Sequence, residues 1–386
     1  MKILQSIPYF NPKFGGDVNV CANLARQLAM RHHEVTIITT DFNFDSQYAD
    51  NIRKVGVNVI PLPCAARIGI FLYSPQIKTW LEKNLKEFEL IHLHNFRSYQ
   101  NKEIHSFAMK YGVPYIVQAH GSVLPFFEKQ KLKKLYDFVW GNRILRDASK
   151  LIALTETESE QYQRMGVPKN KIEIIPNGID LAEFESLPAF GKFRKQYGIQ
   201  ENCNIILFVG RIHKSKGLDI LIDAFFDVSK DKIDSQLIII GPDDGYLQQL
   251  KEKIEKLHLQ KKIQVIGFIS QKEKIQAFTD ADVFITPSYA GFPITFLEAC
   301  ACGLPIITSI HGDSLTWIND NVGIVVDYDH NSLKNAIIQI LTNKDLKTKF
   351  GENGKNLIKR EFNWTVIIHS LEKTYLQSIK ENVENI

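Results

Sequence analysis

The sequence has no apolar run approaching the roughly 18 residues a helix needs to cross a bilayer, so no membrane span is expected among its 386 residues. Cysteine is scarce: five residues, Cys21, Cys64, Cys203, Cys300 and Cys302, an odd and scattered set. Neither a disulfide framework nor a zinc-type Cys-x-x-Cys spacing is present. Cys300-Ala301-Cys302 reads as packing, and reduced thiols are expected. The opening Met1-Lys2-Ile3-Leu4 enters an apolar strand pattern at once, without the apolar core or small-residue cleavage site of an export signal. A cytoplasmic chain is therefore expected. Low-complexity segments and short-period repeats are missing. No Gly-x-Gly-x-x-Gly follows a strand-like run, which argues against a nicotinamide-dependent dehydrogenase. The net charge is only +4. That is too mild for a nucleic-acid partner, and no zinc-finger spacing or aromatic RNA-binding signature accompanies it.

What is present is an ordinary globular balance, 44% hydrophobic and 23% charged, in a chain too long for one core. Two domains are the default. Charge is unevenly shared: residues 1–180 carry 23 basic and 17 acidic side chains, residues 181–386 carry 24 and 26. The basic first half suits an anionic partner.

Short β-branched runs alternate with amphipathic stretches. Strands are expected at Ile3–Ile7, Val35–Thr39, Val57–Leu62, Leu90–His94, Tyr115–Ala119, Leu151–Leu154 and Ile172–Ile175. The series resumes at Ile205–Val209, Leu237–Ile240, Ile263–Ile266, Val283–Thr286, Ile306–Thr308 and Ile324–Val326. Continuously apolar strands separated by helical periodicity mean α/β architecture with parallel sheets covered on both faces. The reading is two Rossmann-like doubly wound domains facing across a cleft: 1–180, and 181–362, with a C-terminal helix, 363–386, crossing back to the first. Open parallel sheets bind ligands beyond the carboxyl ends of their strands, which directs attention to four loops.

Gly15-Gly16 follows the first strand and opens a helix, so backbone amides there can approach an anion; a plain tight turn explains the pair equally well. His120, in Ala119-His120-Gly121, ends a strand and can hydrogen-bond a hydroxyl or carry a proton. His92 and His94 share one side of their strand and read as a satisfied structural pair, with metal binding as the alternative. Gly210-Arg211 and Lys216-Gly217 bracket a strand-to-helix junction; a guanidinium fork and an ammonium together can neutralise a diphosphate leaving group without a metal. Finally, Thr286-Pro287-Ser288 leads to a helix starting near Thr295, whose amides point at a phosphate, with Glu298 in its first turn able to accept two ribose hydroxyls.

These loops, in this order, resemble glycosyltransferase family 4, retaining enzymes of GT-B fold. Gly210-Arg211-x4-Lys216-Gly217, Pro176-Asn177-Gly178-Ile179-Asp180 and Pro287-Ser288 through Glu298-Ala299 carry the likeness. The resemblance implies a hexosyltransferase using a nucleotide-sugar donor and no metal or other cofactor. It implies His120, Arg211, Lys216 and Glu298 as the catalytic set. Gly15, Gly16, Gly210, Asn177, Ile294, Thr295, Phe296 and Leu297 would lie around the donor, with the base near Phe268 and Ile269. The family usually carries a second glutamate eight residues before Glu298, where this chain has Ala290. That departure keeps open a second reading, a non-catalytic or weakened nucleotide-sugar-binding protein. Tyr289 or Ser288 could substitute for the missing carboxylate.

Residues 128–146 read as one basic helix, net +4, with Leu132, Leu135, Tyr136, Val139 and Trp140 at helical spacing. Such a segment rests on an anionic membrane or a lipid-linked pyrophosphate, or packs on its own domain with the lysines in water. In the membrane reading the protein is peripheral, and the acceptor is a saccharide or lipid-linked saccharide of surface polysaccharide synthesis, lipopolysaccharide included.

Overall fold

The computed structural model describes residues 1–68, 71–124, 130–288, 292–310 and 315–384. Two compact units divide the chain: Met1–Asn177 with Trp364–Ile386, and Gly178–Asn363. The expected cut after residue 180 moves back to 177 for a visible reason. Ile179 already belongs to the second unit, where it pairs in parallel with Asn363 and its N–H donates to the Phe362 carbonyl at 2.9 Å.

The first unit is built on β1 (Lys2–Ser6), β2 (Glu34–Thr40), β3 (Asn58–Leu62), β4 (Ala66–Ile68), β5 (Phe71–Tyr73), β6 (Leu90–His94), β7 (Tyr115–Gln118), β8 (Lys150–Ala153) and β9 (Ile172–Ile174). Seven of these form one parallel sheet in the order β3-β2-β1-β6-β7-β8-β9. Ile3, Leu4, Ile37, Ile91, Leu93, Ile116 and Val117 are wholly or almost wholly buried, as the apolar runs require. The antiparallel hairpin β4–β5 has no counterpart in the sequence reading; its three-residue strands are too short to show an alternation. Helix Trp364–Glu384 closes this unit, burying Trp364, Ile367, Ile368, Leu371 and Tyr375. At roughly 1.5–3 kcal/mol per buried side chain that is a substantial share of the unit's stability.

The second unit repeats the plan with β10 (Asn204–Val209), β11 (Ser235–Ile240), β12 (Ile263–Ile266), β13 (Val283–Thr286), β14 (Ile306–Ser309) and β15 (Gly323–Val326), parallel in the order β12-β11-β10-β13-β14-β15. Side-chain caps start several helices, among them a capping box at Ser270 and Glu273 and single caps from Asp329 and Asn343.

Strand order locates the sites. In each sheet the winding direction reverses at one point: between β1 and β6, and between β10 and β13. Loops leaving the carboxyl ends at such a switch point diverge and leave a crevice. Gly15-Gly16 follows β1 and Asn95 follows β6; Gly210-Arg211 follows β10 and Pro287-Ser288 follows β13.

Candidate active site

In the second unit β10 and β11 end in near contact. The Gly210 N–H donates to the Ile240 carbonyl at 2.9 Å, and a Cβ on Gly241 would lie 1.8 Å from the Gly210 carbonyl oxygen. Gly241 itself has φ of +151°. Glycine there lets Arg211 leave the sheet edge with its side chain in solvent. Arg211 Nη1 meets Asp244 Oδ2 at 2.5 Å, but the side chains are 53% and 41% exposed. A pair so open to water contributes little, so an anion can displace Asp244.

Lys216 closes a short 3-10 turn, Lys214–Lys216, and the helix proper starts at Leu218. Left-handed Gly217 separates them, crowded against Pro287 and Tyr328. Lys216 is half-buried, and its ammonium makes no hydrogen bond or ion pair among the described residues. Burial, then repulsion from Arg211, lowers its ammonium from the usual 10.5 to about 8. Two cations that share one exposed carboxylate, Asp244, are stabilised further by any phosphate that arrives.

Helix Ile294–Ala301 begins after Pro293 with no side-chain cap, so its first amides are left for a ligand. Starting at Ile294 places Glu298 at the opening of the second turn, not in the first turn as expected. There its task is not to complement the helix dipole: Glu298 is 4% exposed, and its Oε1 takes Lys274 Nζ at 2.7 Å and Gln271 Nε2 at 3.1 Å. Oε2 is enclosed without a partner among the described residues. An orphaned carboxylate oxygen is costly unless something polar reaches it. Lys274 and Gln271, both from the helix Gln271–Asp280, escaped sequence reasoning because their partner, Glu298, lies far along the chain. Phe268 follows β12 with 61% of its surface open, and Ile269 beside it is half-buried. Ala290 and Tyr289 lie outside the described residues; Ser288 is buried.

In the first unit Gly15 is extended, and a Cβ there would meet Asp17 Oδ1 at 2.8 Å. Asp17 Oδ2 accepts from Tyr9 Oη at 3.0 Å and Asn95 Nδ2 at 2.9 Å, joining the loops after β1 and β6 across the switch point. His120, after β7, takes a left-handed φ of +53°, unusual outside glycine. The loop is tied from below: Glu158 accepts the Gly121 N–H and the Leu154 N–H, each at 2.7 Å, and Tyr162 Oη accepts the Ala119 N–H at 3.0 Å. Glu158 was not anticipated; in sequence it is the fourth residue of Thr155-x-x-Glu158, a helix-start pattern, and it does bond its own cap. Burial pushes the His120 imidazole down to about 4 despite the nearby Asp17 charge. It is therefore neutral at ordinary pH. Its Nε2 lies 2.9 Å from His94 Nδ1.

Asn177 is 4% exposed and lines a small cavity of the first unit with Gln118, Ile152 and Trp364. Cys300 is buried and both thiols of the Cys300/Cys302 pair are raised by burial, Cys302 to about 12. Among the described residues no group of three or more His, Cys, Asp or Glu is arranged to hold a metal ion. None of their helices is long and apolar enough to cross a membrane.

The expected single helix 128–146 is three pieces: Gln130–Tyr136, a π-turn at Asp137–Gly141, and Asn142–Asp147; residues 128 and 129 lie outside the described set. The π-turn follows from Asp137 turning inward to a bidentate pair with Arg97 at 2.7 Å, in space only Gly141 leaves: a Cβ there would meet Asp137 Oδ1 at 2.8 Å. Arg97 also donates to the Ser122 and Val123 carbonyls just beyond His120. Tyr136 packs inward, but Leu132, Leu135 and Phe138 are 61%, 59% and 82% exposed, so the apolar face does not pack on its own domain.

Comparison with known proteins decides the family. The model described as Glycosyltransferase Family 4 matches residues 14–183, and that described as Glycosyl transferases group 1 matches residues 190–357. The chain belongs to glycosyltransferase family 4. It is an enzyme that transfers sugars, and its two sheets are those of the GT-B fold. This family-4 chain is 24% identical to an uncharacterized glycosyltransferase of Methanocaldococcus jannaschii, over 97% of its own length and 98% of that protein's. It is 26% identical, over 76% of each chain, to the UDP-Gal:alpha-D-GlcNAc-diphosphoundecaprenol alpha-1,3-galactosyltransferase of Escherichia coli. Among solved structures it resembles Anabaena HepE in complex with UDP, with TM-score 0.81 at 19% identity, covering 97% of this chain and 99% of that one.

Proposed function

We propose that this transferase moves a sugar, with retention, from a nucleoside diphosphate donor to a saccharide or lipid-linked saccharide acceptor. The carrying observation is Lys216: a half-buried cation beside Arg211 at the β10/β13 switch point, with no anionic partner of its own among the described residues. Arg211 and Lys216 take the diphosphate, the amides of Ile294 and Thr295 its remaining oxygens, and Glu298 Oε2 the ribose hydroxyls. Phe268 offers a ring for the base, and His120 a hydrogen bond to the transferred sugar. Because clamp and helix amides stabilise the departing diphosphate, that group can itself take the proton of the attacking hydroxyl on the same face, and no metal is required. The UDP complex of HepE and the UDP-Gal activity named for the E. coli relative support this donor class.

Calorimetry with UDP, GDP and ADP, in chelator throughout, tests the proposal. At least one is expected to bind, and failure of all three sinks it. The pH dependence has a sign. Above about pH 8 free Lys216 loses its proton, whereas a bound diphosphate holds the ammonium charged. Binding must then take up a proton, so Kd is expected to rise above pH 8 by up to about tenfold per pH unit, a dependence absent in Lys216→Met.

Glu298→Gln keeps the shape and the contact to Lys274 but removes the charge from Oε2. Affinity for the preferred nucleotide is expected to fall about 10–100-fold, the range of a lost charged hydrogen bond. The 2′,3′-dideoxy nucleotide should bind parent and variant alike. A dideoxy analogue weakened equally by the substitution would remove the ribose role.

For the acceptor side we assign residues 130–143 to an anionic lipid surface. Phe138, Leu132 and Leu135 would enter the headgroup layer, flanked by exposed Lys131, Lys134 and Arg143. Vesicles with phosphatidylglycerol should sediment the protein and pure phosphatidylcholine should not. Phe138→Ser with Leu135→Ser should lower binding at least tenfold at unchanged melting temperature; equal sedimentation with both vesicle types would refute the assignment.

A further inference from the structure

His94 ends β6 with no exposed surface, stacked on His92 at 4.1 Å between ring centroids. Its Nδ1 is 2.9 Å from His120 Nε2, and its Nε2 is enclosed without a partner among the described residues. Both rings are neutral, because burial lowers their basicity. One proton therefore lies between the two nitrogens, and its owner fixes both tautomers. If His120 donates from Nε2, His94 must carry its own proton on Nε2, a buried N–H with no acceptor. If His94 donates from Nδ1, only a lone pair is left unmatched. Orphaned buried N–H groups are the rarer defect. The first arrangement is disfavoured.

We propose that His94 is a positioning residue that donates its Nδ1–H to His120 and so presents His120 as a neutral ring protonated at Nδ1. His120 Nδ1 is not among the enclosed polar atoms and has no partner among the described residues. It is left as a hydrogen-bond donor aimed by two constraints, the His94 contact and the left-handed backbone held by Glu158. A donor at that nitrogen suits an uncharged or anionic oxygen of a ligand and does not suit an N–H or ammonium group. The use of this proton on a sugar rests on the transferase reading above; the tautomer itself does not.

Long-range proton–nitrogen NMR on the full chain, labelled with nitrogen-15 in histidine, reads the tautomer directly. At neutral pH His120 is expected to show a protonated Nδ1 and a bare Nε2. An Nε2-protonated His120 in the parent protein overturns the proposal, whether or not nucleotides bind. In His94→Phe the donor is gone, and the His120 signal should shift toward the Nε2-protonated form usual for imidazole in water. In His94→Asn the amide nitrogen replaces Nδ1, and the parent pattern should persist. A His120 pattern unchanged in His94→Phe, or lost in His94→Asn, also overturns it. Nucleotide binding, measured on the same samples, reports separately on the transferase reading.

Discussion

Replacing Arg211 and Lys216 together with alanine is expected to lower kcat/KM by about 10²–10⁴-fold, with each single change costing about 10–100-fold. The range follows from two charge-assisted contacts of roughly 1.5–3 kcal/mol each and about 1.4 kcal/mol per tenfold. The fold should not notice. Arg211 is mostly in water, and its pair with Asp244 is too exposed to stabilise the unit measurably. Lys216 sits where its own charge is disfavoured, so truncating it removes a repulsion as well as a side chain. Melting temperatures within about 2 °C of the parent are therefore expected, less than a 1 kcal/mol change gives in a unit of this size. A double variant within threefold of parental kcat/KM would mean that the phosphates are held elsewhere.

Gly241→Ala should do the opposite, striking the fold before the chemistry. Its methyl would sit 1.8 Å from the Gly210 carbonyl oxygen, part of the backbone and unable to swing aside, at a φ of +151° that favours glycine. Strands β10 and β11 would have to part where Gly210 donates to Ile240. A loss of about 3–5 kcal/mol is expected, combining backbone strain with a forced separation. The thermal transition of the second unit should fall by about 10 °C or more. Nucleotide binding should suffer with it, because Arg211 hangs from the displaced residue. A stable Gly241→Ala protein, melting like the parent, would show that the close approach of these two strand ends is not needed.

The strands were legible because burial on both faces leaves little choice of residue. Leu90–His94, Ile263–Ile266 and Val283–Thr286 match their sequence runs end to end. The loops that carry Arg211, Lys216 and His120 stood out for a related reason: glycines and polar residues directly after an apolar run have few structural uses. Less visible were groups whose partners are distant in sequence. Asp17 gains meaning only when Asn95 and Tyr9 reach it, and Lys274 only when Glu298 is buried beside it. The π-turn at Asp137–Gly141 was hidden because its cause, Arg97, lies forty residues away and leaves the local helical pattern intact.

The helix Trp364–Glu384 sets the order of events on the ribosome. It completes the first sheet's cover, yet it follows the whole second unit in the chain. While residues 178–363 are being synthesised, the surface that will receive Trp364, Ile367, Leu371 and Tyr375 stays open, and His92 lacks its Tyr375 partner. The nascent first unit must therefore wait, incomplete, for the second to emerge, and a chain stalled before Trp364 would display an apolar strip for chaperones to find.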